Sequence, residues 1–184
     1  MKTALVLGGA VCLWDDIAAA EEIGKYDAVC ACNDAGAAWA GDLHIWATLH
    51  PELMAGWNAK REHRGRKPAD LIAYHRNGQV GEPKPDIVTD YHYLRTDKSA
   101  SSGLLTAKVA IEQGFDRVVL CGVPLTAGGG HFYESGGFWK AASSFQEGFR
   151  QMAPHLLGKV RSMSGVTREV LGVPTAEWLA GKAD

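Results

Sequence analysis

No apolar run in this 184-residue chain approaches the ~18 residues needed to cross a bilayer. The longest near the start, Ala4 to Leu7, stops at a glycine pair. No basic-then-apolar leader precedes it, so a cytoplasmic protein with no membrane partner is expected. An excess of one charge is also missing. Nineteen Lys plus Arg against twenty-one Asp plus Glu leave a formal net charge of -2, which exerts no general pull on nucleic acid, and none is expected as a partner. Cysteines are few: Cys12, Cys30, Cys32 and Cys121 stand in or beside apolar runs. The CxC at Cys30 and Cys32 has no second pair to complete a zinc site, and HExxH is absent, so these are core thiols and no metal ligands are expected. Repeats and low-complexity tracts are absent as well. What remains, 46% hydrophobic and 22% charged residues, is the composition of an ordinary globular protein. At this length one domain over 1–184 is expected.

Hydrophobic patterning divides the chain into alternating short strands and helices. The unbroken apolar run over 3–7 reads as a buried strand, followed by a glycine turn and a helix over 14–23. Further strands are expected over 27–32 and 42–49, separated by a short helical link over 35–40. A helix over 51–64 and a weaker strand over 70–74 follow. Residues 75–100 are rich in Gly, Pro, Asp and aromatics without a steady period and read as an irregular excursion. A helix apolar on nearly every side over 104–113 and a strand over 116–121 restore order. Phe138, Ala142, Phe145, Phe149 and Met152 then make one apolar stripe on a helix over 138–152. A strand over 159–163 and two short helices complete the chain, the second over 175–179 with Trp178 turned inward. Short apolar strands alternating with helices imply a single α/β Rossmann-like domain, a mainly parallel sheet with helices on both faces.

In such a sheet ligands bind outside the carboxyl ends of the strands, where loops diverge and helix N-termini present unpaired amides. Gly8 and Gly9 close the first strand. They either make a tight turn or bring the backbone close to a phosphate; the GxGxxG spacing of a dinucleotide site is absent. Asn33 and Asp34 after the second strand are either turn residues or partners for a base or sugar. Ser102 and Gly103 open the central helix, as an N-cap with Ser101 or as an anion site. Gly122 closes the fourth strand. His131, preceded by three glycines and followed by Phe132 and Tyr133, is the candidate general base, because an imidazole can take a proton at neutral pH. Tyr133 could assist a phosphate. His44 and His50 are expected to be packed or hydrogen-bonded. Asp42 could hold a metal or a ribose, though a loop cap suits it better. Lys60, Arg61, Arg64, Arg66 and Lys67 form a basic cluster at the end of a helix, expected to be solvated.

The order LVLGGA, VCACNDAGAAWAGDLHIW, SASSGLLTAKVAIEQGFDRVVLCGVPL and a downstream glycine-flanked histidine resembles the bacterial CMP-sialic-acid-dependent sialyltransferases and the related 6-hydroxymethylpterin diphosphokinase-like proteins. It also looks like short uncharacterised phage or prophage proteins. The resemblance implies a nucleotide-binding Rossmann-like fold and a small-molecule nucleotide ligand, with a nucleotide-activated donor such as a CMP-sugar and no required cofactor. It places nucleotide contacts on Gly8, Gly9, Asn33, Ser102 and Gly103, and the catalytic base on His131. The implied chemistry is inverting sugar transfer by direct displacement. A Mg²⁺-dependent diphosphokinase-like transferase using Asp34 or Asp42, and a non-catalytic nucleotide-binding or assembly module, are the alternatives. A homo-oligomer is compatible with the six tryptophans.

Overall fold

Thr3–Leu7 forms β1, and all five residues are buried. Ala4 and Val6 enter one core and Leu5 and Leu7 the other, on opposite faces of the sheet. Burial on both faces is why an unbroken apolar run encodes this strand. The computed structural model describes residues 1–75, 83–90, 101–134 and 136–182. After β1 come α1 (Leu13–Ile23), β2 (Ala28–Cys32), α2 (Asn33–Ala38), β3 (Ile45–Thr48) and α3 (Pro51–His63). Then follow β4 (Leu71–His75), β5 (Ile87–Thr89), α4 (Ser102–Glu112) and β6 (Arg117–Cys121). The chain finishes with α5 (Ala142–Leu156), β7 (Val160–Ser162), α6 (Gly165–Leu171) and α7 (Ala176–Leu179).

The strands make one seven-stranded sheet in the order β5-β4-β3-β2-β1-β6-β7, and every neighbouring pair is parallel. Leu104 of α4 and Phe149 of α5 fill the core on one face. Leu13 of α1, Met54 of α3 and Trp178 of α7 fill the other. This is the α/β, Rossmann-like architecture expected from the alternation of strands and helices. The chain builds outward from β1 to β5, then returns to add β6 and β7 on the other side of β1. Direction therefore reverses between β1 and β6, and the crevice over their carboxyl ends is a topological switch point. Leu7 pairs with Cys121 there, so Gly8 and Gly122 open side by side.

Several expected boundaries move. β5 lies inside the stretch read as an irregular excursion over 75–100; its three residues, only Thr89 of them buried, are too few to carry a period. Residues 76–82 and 91–100 of that stretch lie outside the described ones. The helix expected over 138–152 starts at Ala142 and continues to Leu156 through Pro154. Phe138 stands in the preceding loop, 74% exposed, because Gly128 pairs with it across an antiparallel bridge. The strand expected over 42–49 shortens to β3, which leaves Asp42 in the loop before it, at the amino edge of the sheet. Trp178 is fully buried as expected, with the guanidinium groups of Arg117 and Arg161 5.0 and 4.9 Å from its ring centroid. Among the described residues no helix is long and apolar enough to cross a membrane.

The basic cluster is not the solvated helix end that its sequence suggests. Arg61 is fully buried. Its Nη1 donates to the Gly36 and Trp39 carbonyls at 2.9 and 2.8 Å, its Nη2 to Gly41 O at 2.8 Å and its Nε to Lys67 O. Arg64 and Arg66 donate to Ala37 O at 3.0 and 2.8 Å. These arginines satisfy the carbonyls that α2 leaves unpaired at its C-terminus. Lys67 stays exposed, 3.5 Å from Asp42.

Candidate functional site

A cavity of about 420 Å³ opens over the carboxyl ends of β1 and β6. Gly8 and Gly9 reach it from β1, Asn33 from the start of α2, His50 from the end of β3, Ser102 and Gly103 from α4, and Gly122 from β6. His131 closes one side from the loop after β6. Seven of the nine residues expected to catalyse or to bind a nucleotide thus meet around one space. Asp34 and Tyr133 do not line it; they stand against His131 instead.

Close approach accounts for the glycine pair better than phosphate cradling does. A Cβ on Gly8 would lie 2.2 Å from Gly122 O and 2.5 Å from Val123 Cγ2. One on Gly9 would lie 2.7 Å from His131 Nε2. Gly8 N donates to Cys121 O (2.7 Å), Ala10 N to Gly122 O (3.1 Å) and Val11 N to Gly130 O (3.1 Å). Of the four amides in this bend, only that of Gly9 is not taken by these bonds. Gly122 N is also engaged, donating at 2.8 Å to Oδ2 of the buried Asp16, which accepts from Ser164 Oγ at 2.7 Å as well. Asp16 therefore shapes the cavity floor, a role that its place in the first turn of a helix did not advertise.

The N-terminus of α4 is different. Ser101, at its N-cap, makes no side-chain cap hydrogen bond, so capping does not explain the serine pair. The first bond into the helix is Leu105 N to Ser101 O at 3.0 Å. The amides of Ser102, Gly103 and Leu104 precede it at the positive end of the helix dipole, where an anion is favoured. Gly103 is required for packing here as well, since a Cβ would lie 2.9 Å from Val123 Cγ2. Ser102 Oγ accepts from Leu49 N at 3.2 Å, which fastens α4 to the end of β3.

Backbone strain collects at the same place. Among the described residues two without a glycine's freedom have positive φ, Asn33 at 49° and Leu125 at 53°, and both line the cavity. Each such residue costs about 1–2 kcal/mol and persists only where its surroundings hold it. Asn33 O accepts from Trp46 Nε1 at 2.6 Å, and Asn33 Oδ1 from Thr48 Oγ1 at 2.8 Å. Leu125 O accepts from Gln146 Nε2 at 2.8 Å, while Thr167 Oγ1 and Val166 N grip the carbonyls of Val123 and Pro124 at 2.6 and 2.8 Å. Leu125 had no sequence signal. Neither did the wall formed by Trp139 and Phe145, whose rings are 4.4 Å apart. His50, expected to be packed, has a side chain 54% exposed at the cavity rim, 3.4 Å from Glu52.

His131 is held by backbone. It bridges Ala10 in antiparallel fashion, and Phe132 N donates to Gly9 O at 3.0 Å. Its Nε2 lies 3.3 Å from Asp34 Oδ1, and the Tyr133 ring lies against it at 3.9 Å. Burial pushes the Asp34 carboxyl up, but the His131 ring and the Tyr133 hydroxyl outweigh it and hold the group below the ordinary carboxylate range. Tyr133 is pushed up to about 12 by burial and by its bond to Asp34, so it stays a neutral donor. Cys32 lines the cavity, but burial raises its thiol to about 12; it is protonated at neutral pH and no nucleophile. Cys30 and Cys121 are buried and Cys12 is half-buried, all of them free. Among the described residues no three His, Cys, Asp or Glu side chains converge on a cation position. Asp42, at the opposite edge of the sheet, cannot act with Asp34.

No protein-family model matches the sequence. No curated protein matches it either. Among solved structures, the chain is similar to the sialyltransferase CST-II in complex with trisaccharide acceptor and CMP. The TM-score is 0.61 at 14% sequence identity, over 95% of this chain and 87% of that one. At that identity the likeness is one of fold: a Rossmann-like α/β sheet shared with a sialyltransferase over nearly its whole length.

Proposed function

We propose that the cavity binds a nucleotide-activated sugar, of which a CMP-sugar is the leading case, and transfers the sugar to an acceptor hydroxyl with His131 as general base. The observation that carries this reading is the convergence, at the switch point, of the buried N-terminus of α4 with an imidazole across one cavity. The amides of Ser102, Gly103 and Leu104 offer an anion site, and His131 faces the same space. The similar fold of a sialyltransferase solved with CMP and an acceptor supports the choice of donor. In the reaction the acceptor O–H bond breaks, its proton passes to His131, and its oxygen forms the new bond at the anomeric carbon. The bond from that carbon to the phosphate oxygen breaks, and the electron pair leaves with the nucleotide. α4 stabilises the phosphate charge, a contribution that grows as the leaving group departs. Asn33, with its Oδ1 already occupied by Thr48, presents its amide nitrogen as a donor toward base or ribose. Most of the rate gain comes from holding donor and acceptor in line.

Nucleotide preference is read by thermal unfolding. CMP at about 100 times its dissociation constant adds ~2.7 kcal/mol, which for a chain of this size is a rise of roughly 5 to 10 °C. UDP, GDP, ATP and NAD at the same concentration are expected to give smaller rises. A rise with ATP that needs Mg²⁺ would favour the diphosphokinase-like alternative, and no rise with any nucleotide would remove the proposal.

A further inference from the structure

Among the described residues that line the cavity there is no lysine or arginine. A phosphate seated there meets helix amides and, for a full positive charge, only two histidines. His131 stands across the cavity from α4, with Asp34 Oδ1 3.3 Å from its Nε2. His50 stands beside α4. We propose that His50 is a further catalytic residue, a ring that carries positive charge in the complex and donates from Nε2 to the phosphate oxygens as the nucleotide leaves. This rests on α4 seating the phosphate and does not involve the acceptor's proton.

Backbone bonds put His50 in that place. Leu49 N donates to Ser102 Oγ at 3.2 Å, which ties the end of β3 to the first residue of α4. Thr48 Oγ1 donates to Asn33 Oδ1 and accepts from His50 N, both at 2.8 Å. His50 is thus held between Asn33 and Ser102. Its side chain sits at the N-cap of α3 and makes no cap bond. Instead Nδ1 lies 3.4 Å from Glu52 Oε1, and the side chain is 54% exposed, open to a ligand. The described residues give Nε2 no hydrogen-bond partner. The N-terminus of α3, equivalent to about +0.5 of a charge, opposes a cationic ring. Glu52 sets a full negative charge against it and the phosphate brings another, so the anions prevail. Glu134, on the same cavity, acts in their direction; His131, when charged, acts against them but is met by Asp34. A charge-assisted N–H···O bond is about twice as strong as a neutral one, and it tightens as charge builds on the departing phosphate. The proton stays on Nε2 throughout.

The test uses the full chain labelled with ¹⁵N-histidine at about pH 7.5, where a free imidazole is mostly neutral. The ring signals of His50 are assigned by their loss in His50→Gln. Saturating CMP is expected to bring both ring nitrogens to the shifts of a doubly protonated imidazole. Cytidine, which lacks the phosphate, should leave them in place. Glu52→Gln, at an exposed position, is expected to weaken the response to CMP. With a CMP-sugar donor, His50→Gln is expected to lower kcat by about 10²-fold, as losing one donor to a developing charge does. His50→Arg, which keeps a charged donor, should recover a good part of that loss, which a merely structural role does not predict. A His50 ring that stays neutral with CMP bound, or a kcat in His50→Gln within about threefold of wild type, would overturn the role and leave the seat on α4 standing. If neither CMP nor cytidine binds, the nucleotide reading itself falls, and this role with it.

Discussion

His131→Gln is expected to lower the turnover of sugar transfer by about 10²- to 10⁴-fold, the range a positioned general base supplies. Glutamine keeps much of the volume and can still donate and accept hydrogen bonds, but it cannot take the acceptor's proton. The loop that carries it is held by backbone bonds, Phe132 N to Gly9 O and Val11 N to Gly130 O, which the substitution does not touch. The fold and CMP binding should therefore survive. Steady-state kinetics with a CMP-sugar and a panel of acceptor sugars check this: kcat falls while the KM for donor stays within about threefold, the signature of an interaction made in the transition state. Equal losses of binding and turnover would mean that the ring holds substrate and does not move a proton.

Arg61→Ala is expected to destabilise the protein by about 3 kcal/mol or more, the largest loss anticipated for one surface-coded charge. Four backbone carbonyls, those of Gly36, Trp39, Gly41 and Lys67, accept from this one guanidinium. Removing it leaves the buried Gly36 carbonyl unpaired, at about 1–3 kcal/mol, strips the part-buried carbonyls of Gly41 and Lys67 of this donor, and opens a hollow where a fully buried side chain stood, while Trp39 O keeps its bond from Arg66 Nη1 at 2.9 Å. In thermal unfolding the drop should be roughly 6 to 12 °C. Arg61→Lys separates this role from a simple positive charge. A lysine keeps the charge but presents one ammonium in place of a planar fork of five donors, so it should recover less than half of the loss. Full recovery by lysine would show that charge, not the pattern of donors, is what the position needs.

How much of this was legible in the sequence depends on the length scale of each signal. β1 and α3 were readable because burial on both faces, or a run of helix formers opened by Pro51, leaves a pattern many residues long. β5 was not, since three residues on the sheet edge leave no period. Phe138 fell into the α5 stripe by spacing alone, and only the pairing of Gly128 with it shows why the helix begins later. At the site, glycines and serines at strand and helix ends marked the cavity because switch-point geometry demands small residues and free amides there. Their separate tasks were hidden. Whether Gly8 admits a ligand or merely admits Gly122 depends on a contact between residues more than a hundred positions apart. Asp16, Leu125 and Arg61 act through partners that no local motif records, and an arginine capping a distant helix looks in sequence like any basic surface.

The central claim is that α4 and the β1–β6 crevice seat a nucleotide, and its most direct test is a titration of the ¹⁵N-labelled full chain with CMP, followed amide by amide. The account predicts saturable shifts concentrated at Gly9, Asn33, Ser102, Gly103 and Leu104. Shifts that bypass the first turn of α4 and collect elsewhere, or none at millimolar CMP, would contradict it.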